Sequence, residues 1–294
     1  MLTGKKLVDT LTAELGEIGM GNMASELDAM YRSPEFWELD LLSAIARLVE
    51  TEYQARTNKR ITNRLRAVHL LDCPQDITSC VDSSEQAYLP AGITETLSTL
   101  AFLESGLNVC VLGPSDSRKS YLVKAIGIVA CTKYRVGYFH CEDLLESLVV
   151  QKTKDYAKFQ KRLKKTCGLD LLVLDDFLLH TLTDEREVKL LFESLEKRSE
   201  MKLSTFICSQ RDPKSWSAMI LNDEVSANAI LKRATKHFTV PIRPNPQPEG
   251  WESGCRESSP GGRCARLKGG RYHDILPEAH IKRSPFVFPV PVLL

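Results

Sequence analysis

Between Leu107 and Ile242, short apolar runs alternate with longer segments of helical periodicity, and few folds accommodate that alternation. The runs are LNVCVL (107–112), RVGYFH (135–140), LDLLVLDD (169–176), LSTFICS (203–209) and HFTVPI (237–242). Helical segments separate them: one after Lys119, one from Glu142, one near Glu185 to Arg198 and one from Val225 to Ala234. Strands joined through helices return in the same direction. The pattern therefore predicts an α/β domain with a mainly parallel five-stranded sheet, covered by helices on both faces.

The flanking regions have a different texture. From Lys5 to about Leu71 apolar residues recur at helical spacing, most clearly Leu41, Leu42, Ile45, Leu48 and Val49, which predicts a small helical domain over 1–72. Within it Arg56, Lys59, Arg60, Asn63 and Arg64 share one face of a helix, while Ile61, Leu65 and Val68 lie on another. A basic face of this kind suits phosphate backbones, and it equally suits plain solvation. Residues 73–104 read as a linker and lead-in helix, punctuated by Cys73-Pro74 and Pro90-Ala91-Gly92, and 105–240 as the sheet domain. Beyond it, 241–294 holds nine of the fourteen prolines, so an irregular, disordered tail is expected there. Its Cys255, Cys264, His273 and His280 match no common zinc spacing, and its FVFPVPVLL end reads as an adventitious or interaction segment.

Composition narrows the class further. A content of 43% hydrophobic and 26% charged residues is that of a globular protein, and no apolar run approaches the roughly 20 residues of a membrane span. No leader pattern opens the chain, and nine cysteines without a C-x-x-C pair do not form a secreted disulfide framework. A cytoplasmic protein with reduced thiols and no membrane partner is expected.

The chemistry concentrates in GPSDSRKS, Gly113, Pro114, Ser115, Asp116, Ser117, Arg118, Lys119 and Ser120. It joins a strand to a helix, and its spacing is that of the phosphate-binding loop G-x-x-x-x-G-K-S with arginine at the second glycine position. Such a turn aims backbone N–H groups and a helix N-terminus at phosphates; the lysine reaches the β- and γ-phosphates and the serine ligates Mg2+. LLVLDD is a continuous apolar strand ending in two carboxylates, which assigns Asp175 to Mg2+ and Asp176 to orienting the attacking water. Ser209 and Gln210, at the next strand end, are candidates to sense a γ-phosphate or simply to cap the next helix. Arg233 lies on the helix before the last strand, where an arginine can reach a neighbouring subunit's phosphate.

ARTNKRITNRLRAVHL, GPSDSRKS, LLVLDDF, STFICSQRDPKSW and NAILKRATKH, in this order, resemble the IstB-like ATP-binding family, AAA+ helper ATPases of insertion-sequence transposition related to DnaC helicase loaders. The resemblance covers about residues 1–240. It implies an AAA+ P-loop NTPase core behind a helical N-terminal domain, with ATP and Mg2+ as cofactors. It further implies binding of non-specific duplex DNA, ATP-dependent self-assembly into an oligomer and cooperation with a transposase of the same element. Lys119 and Ser120 carry over as the loop pair, Asp175 as the magnesium aspartate, Ser209 as the sensor position and Arg233 as the inter-subunit arginine. Arg56, Lys59, Arg60 and Arg64 are the expected DNA contacts.

Two departures stand out. Arg118 brings bulk and a Cβ where glycine is expected, and the pattern is lost after Thr239, as a change of reading frame leaves it. Together they suggest a degenerating transposition gene product with impaired ATP binding, although a positive side chain beside a phosphate can also compensate. Two alternatives stay open: a DnaC-like helicase loader, and a DNA-binding protein of the same fold that no longer hydrolyses ATP. The second basic stretch, KTKDYAKFQKRLKK (152–165), serves any of the DNA-binding readings or none.

Overall fold

The computed structural model describes residues 4–83, 86–220 and 224–244; the Cys255, Cys264, His273 and His280 set and the FVFPVPVLL end lie outside these. Six strands are present among the described residues: β1 (Gln86–Tyr88), β2 (Val109–Leu112), β3 (Val136–His140), β4 (Leu171–Asp175), β5 (Ser204–Ser209) and β6 (Phe238–Pro244). They form one sheet in the order β1-β6-β2-β5-β4-β3. The expected five-stranded parallel arrangement is present as β6-β2-β5-β4-β3. The expected count of five is corrected to six, because β1 adds antiparallel to β6, with Ala87 opposite Arg243. Three residues, Gln-Ala-Tyr, carry too little alternation to announce a strand. The open edge of β6 supplies the reason to pair. β6 also runs to Pro244, into the segment expected to be irregular, and Pro241 contributes the carbonyl that accepts the Leu89 N–H at 3.1 Å.

Ten α-helices are present among the described residues: α1 (Gly4–Glu17), α2 (Gly21–Arg32), α3 (Leu41–Ala67), α4 (Ile93–Ser98), α5 (Ala101–Glu104), α6 (Lys119–Cys131), α7 (Cys141–Lys154), α8 (Tyr156–Cys167), α9 (Glu185–Glu200) and α10 (Glu224–Ala234). Successive strand residues feed two separate cores. Val109, Val111, Leu171, Val173, Phe206 and Cys208 pack with α6 and the lead-in helices, whereas Cys110, Leu172, Leu174 and Ile207 pack with α7 to α10. Burial on both faces explains why these strands read as nearly continuous apolar runs, with the polar residues Ser204, Thr205, Ser209 and Asp175 at their ends. Each fully buried Leu, Ile, Val or Phe contributes about 1.5–3 kcal/mol, so the central strands are held firmly.

Asp residues start three of these helices. The side chains of Asp40, Asp155 and Asp184 accept the N–H of Ser43, Lys158 and Arg186 at 3.0, 3.0 and 2.8 Å. α2 has no such cap of its own. Instead Glu52, buried on α3, accepts the N–H groups of Asn22 and Met23, both at 3.1 Å, and so caps α2 from a neighbouring helix. The Leu42, Ile45 and Val49 stripe of α3 is helical as its spacing predicts, but it is not packed: these residues are 76%, 47% and 51% exposed.

Candidate functional site

Parallel strands place their C-terminal ends together, and the ends of β2, β5 and β4 lie side by side on the edge of the sheet from which the loop to α6 leaves. The 113–120 loop lies between β2 and α6. Gly113 donates its N–H to Ser209 O at 3.3 Å, which ties the loop to the end of β5. A Cβ at Gly113 would lie 2.9 Å from Ile242 O and 2.7 Å from Ser117 Oγ, so only glycine lets the backbones approach this closely. Lys119 is buried; its Nζ donates to Pro114 O and lies 3.4 Å from Ser117 Oγ. The lysine is thereby held along the inside of the loop.

Arg118 stands at the helix N-cap with φ 56° and ψ 23°, the left-handed region in which glycine is at ease. The Cβ that Arg118 brings is thus carried on a backbone that glycine adopts more readily. The arginine side chain is exposed and makes no capping hydrogen bond. The Arg118 charge is felt at the buried Cys80 and Tyr88, where it opposes the upward push that burial gives both groups, to about 11 for the thiol and about 12 for the phenol.

Asp175, at the end of β4, is almost fully buried. Burial pushes its carboxyl up, but hydrogen bonds from Cys208, Tyr138, Ser120 and the Asp176 N–H outweigh this and hold it below the usual carboxylate value. Asp175 is therefore an anion at neutral pH, and the Ser120 hydroxyl is among the groups that favour its charge. Asp176 follows with φ 50°; its Oδ2 lies 3.1 Å from His140 Nδ1 and its Oδ1 3.5 Å from Gln210 Nε2. Ser209 is fully buried, donating to Phe177 O at 2.7 Å and accepting the Arg211 N–H at 3.1 Å. Thus Ser209 ties backbone segments together, and Gln210 is the polar side chain at this strand end that faces a carboxylate. Trp216, fully buried, packs on Phe177 with ring centroids 4.8 Å apart, pinning the segment after β5 beneath Asp176.

The remaining sequence candidates lie elsewhere. Arg233 pairs with Glu196 at 2.9 Å and stacks over Phe192 at 4.8 Å within its own chain. On α3 the four basic residues divide. Arg56 bonds Glu52 at 2.7 Å and Gly19 O at 3.0 Å, and Arg64 donates to Cys131 O and Thr132 O, at 3.1 and 3.0 Å, where α6 ends. Lys59 and Arg60 are exposed and form no ion pair among the described residues. Sequence reasoning missed Tyr138 and His140; the signal was two polar-tipped rings, two residues apart, in the strand RVGYFH.

A glycine-anchored loop between a central parallel strand and a helix, with a buried lysine inside it and an ionised strand-end aspartate opposite, defines a P-loop nucleotide-binding domain. The family profile of IstB-like ATP binding proteins matches residues 13–245, and the chain belongs to that family. It is 36% identical over 143 residues to the ATP-binding protein named for insertion sequence IS232 of Bacillus thuringiensis subsp. berliner, a match covering 48% of this chain and only 55% of that relative. To the insertion-sequence ATP-binding protein y4uH of Sinorhizobium fredii it is 32% identical over 225 residues, 74% of this chain and 86% of the other. Among solved structures, the DnaC helicase loader aligns with 20% identity and a TM-score of 0.46 over 58% of this chain and 98% of that one. No helix among the described residues is long and apolar enough to cross a membrane.

Proposed function

We propose that this chain is an ATP-dependent helper of insertion-sequence transposition, which binds duplex DNA with little sequence preference, assembles around bound ATP and cooperates with a transposase of the same element. The observation that carries the reading is the end of the sheet, where the buried Lys119 lines the loop after β2 and the ionised Asp175 closes β4. There, the backbone of Gly113 to Ser120 and Lys119 cradle the phosphates, and Asp176 accepts a proton from the water that attacks the γ-phosphorus, releasing ADP and phosphate. An anionic carboxylate beside a hydroxyl is the hard oxygen pair that Mg2+ prefers, so Ser120 and Asp175 are its holders. When bound, Mg2+ neutralises charge on the phosphate oxygens. Arg233 acts on a neighbouring subunit after leaving Glu196, and Lys59 and Arg60 lead the contacts to DNA, with Arg56 and Arg64 set at the ends of the same basic face.

Arg118 favours a second reading, a DNA-binding member of the family that no longer turns ATP over. Binding and hydrolysis of ATP by the unaltered chain, measured beside Arg118→Gly, separate the two. The expected result is ATP binding at least roughly tenfold tighter in the variant, a difference of about 1.4 kcal/mol, with hydrolysis by both proteins and faster in the variant, whereas hydrolysis by the variant alone would favour the second reading. Equal binding and turnover in both proteins would show that Arg118 is harmless; absence of binding in both removes the ATP reading.

A further inference from the structure

β3 carries two ring side chains, Tyr138 and His140, on the same face of the sheet, and each ends on one of the two carboxylates that close β4. The Tyr138 hydroxyl donates to Asp175 Oδ2, and His140 Nδ1 lies 3.1 Å from Asp176 Oδ2. The two rings pack edge to face, with centroids 6.2 Å apart at 87°. The ammonium of Lys124 sits 5.6 Å from the Tyr138 ring centroid on the α6 side. The hydroxyl is not needed to fill space, since a phenyl ring would occupy nearly the same volume.

The donors around Asp175 are all neutral: Cys208, Tyr138, Ser120 and the Asp176 N–H. A divalent cation held by Ser120 and Asp175 would leave Tyr138, beside Cys208, as a side chain that fixes the carboxylate through Oδ2. His140 stands in the same relation to Asp176, whose second oxygen faces Gln210. We propose that Tyr138 and His140 are a pair of positioning residues, with Tyr138 holding Asp175 for the cation and His140 holding Asp176 for the water. This assignment rests on the ATP reading given above.

The test uses the full chain carrying Arg118→Gly as parent, with a fluorescent ATP analogue as probe and Mg2+ titrated from an EDTA-treated start. Loss of an outer hydrogen bond to a metal ligand typically weakens the metal by 10–100-fold. Tyr138→Phe is therefore expected to raise the Mg2+ concentration for half-maximal nucleotide binding about tenfold, with metal-free nucleotide binding unchanged. His140→Ala is expected to slow single-turnover hydrolysis about tenfold at an unchanged Mg2+ midpoint, and His140→Asn, which keeps a donor there, to recover most of the rate. If both variants keep the parent's midpoint and rate, the positioning role is wrong while the parent's own binding upholds the ATP reading. If the parent binds no nucleotide at any Mg2+ concentration, both readings fall together. His140 is exposed, so its variants keep the test open should Tyr138→Phe fail to fold.

Discussion

At position 118 a side chain occupies backbone space that glycine takes without strain. A left-handed conformation is disfavoured by about 1–2 kcal/mol for a residue with a Cβ, and Arg118 holds it at the threshold of α6. The surrounding structure enforces the geometry: Gly113 is pinned to β5, and α6 begins at the next residue after Arg118. Arg198 shows the opposite case, a charged residue that the fold has absorbed. It is fully buried and donates to Cys167 O at 2.9 Å, Leu169 O at 2.7 Å, Thr205 Oγ1 at 3.0 Å and Ser204 O. Each buried carbonyl left without a donor is destabilising by about 1–3 kcal/mol. Arg198→Met is therefore expected to lower stability by roughly 3 kcal/mol or more, read as a drop in the urea midpoint. Arg198→Lys should recover little, because a single ammonium cannot span the same acceptors.

At the scale of elements, β3 and β4 are aligned by a side chain at their entry. Asp170 accepts from the backbone N–H of Arg135 at 2.8 Å and from its guanidinium at 2.8 and 3.1 Å. The Arg135 hydrogen bond is the main reason that the Asp170 carboxyl lies below its usual value, against the upward push of burial. A group whose pKa is lowered on folding stabilises the fold above its unfolded pKa and loses that contribution as pH falls through the folded one. Asp170→Asn should thus be less stable than the unaltered chain at pH 7, with the gap closing below about pH 4; urea melts at both pH values check this. Because the pair sets the register that brings His140 beside Asp175, the same variant tests how firmly β3 addresses the site. α3 is the other decisive element. Its Glu52 and Arg56 brace the α1–α2 turn, and Arg64 clamps the end of α6. Arg64→Ala should therefore lower the melting temperature, whereas neutralising Lys59 and Arg60 should leave it unchanged.

At the scale of the whole molecule, those two exposed cations carry a different expectation. Each phosphate contact contributes about 0.9 to the slope of log affinity against log salt, so Lys59→Gln with Arg60→Gln should flatten the slope for duplex DNA by about 2. An unchanged slope would remove Lys59 and Arg60 from the DNA interface. The apolar stripe of α3 bears on the fold as well: with Leu42, Ile45 and Val49 exposed, their replacement by Gln should alter stability by less than about 0.5 kcal/mol at each position.

The five parallel strands and the loop at 113–120 were legible because burial on both faces leaves an apolar run, and because a strand-to-helix turn around phosphate demands particular residue types at fixed spacing. β1 was not, since three residues hold no periodicity and only the free edge of β6 recruits them. Nor could the spacing of Arg56 and Arg64 tell a solvated cation from a clamp, because their acceptors, Gly19 O and the end of α6, are distant in sequence. By itself the sequence determined the layered α/β order, the identity of the phosphate loop and the two carboxylates opposite it. Only the tertiary structure decided that Tyr138 and His140 attend those carboxylates, that Ser209 serves the backbone while Gln210 faces Asp176, and that Arg118 sits in a left-handed backbone. These depend on strand register and on contacts between distant segments, which local residue patterns do not encode.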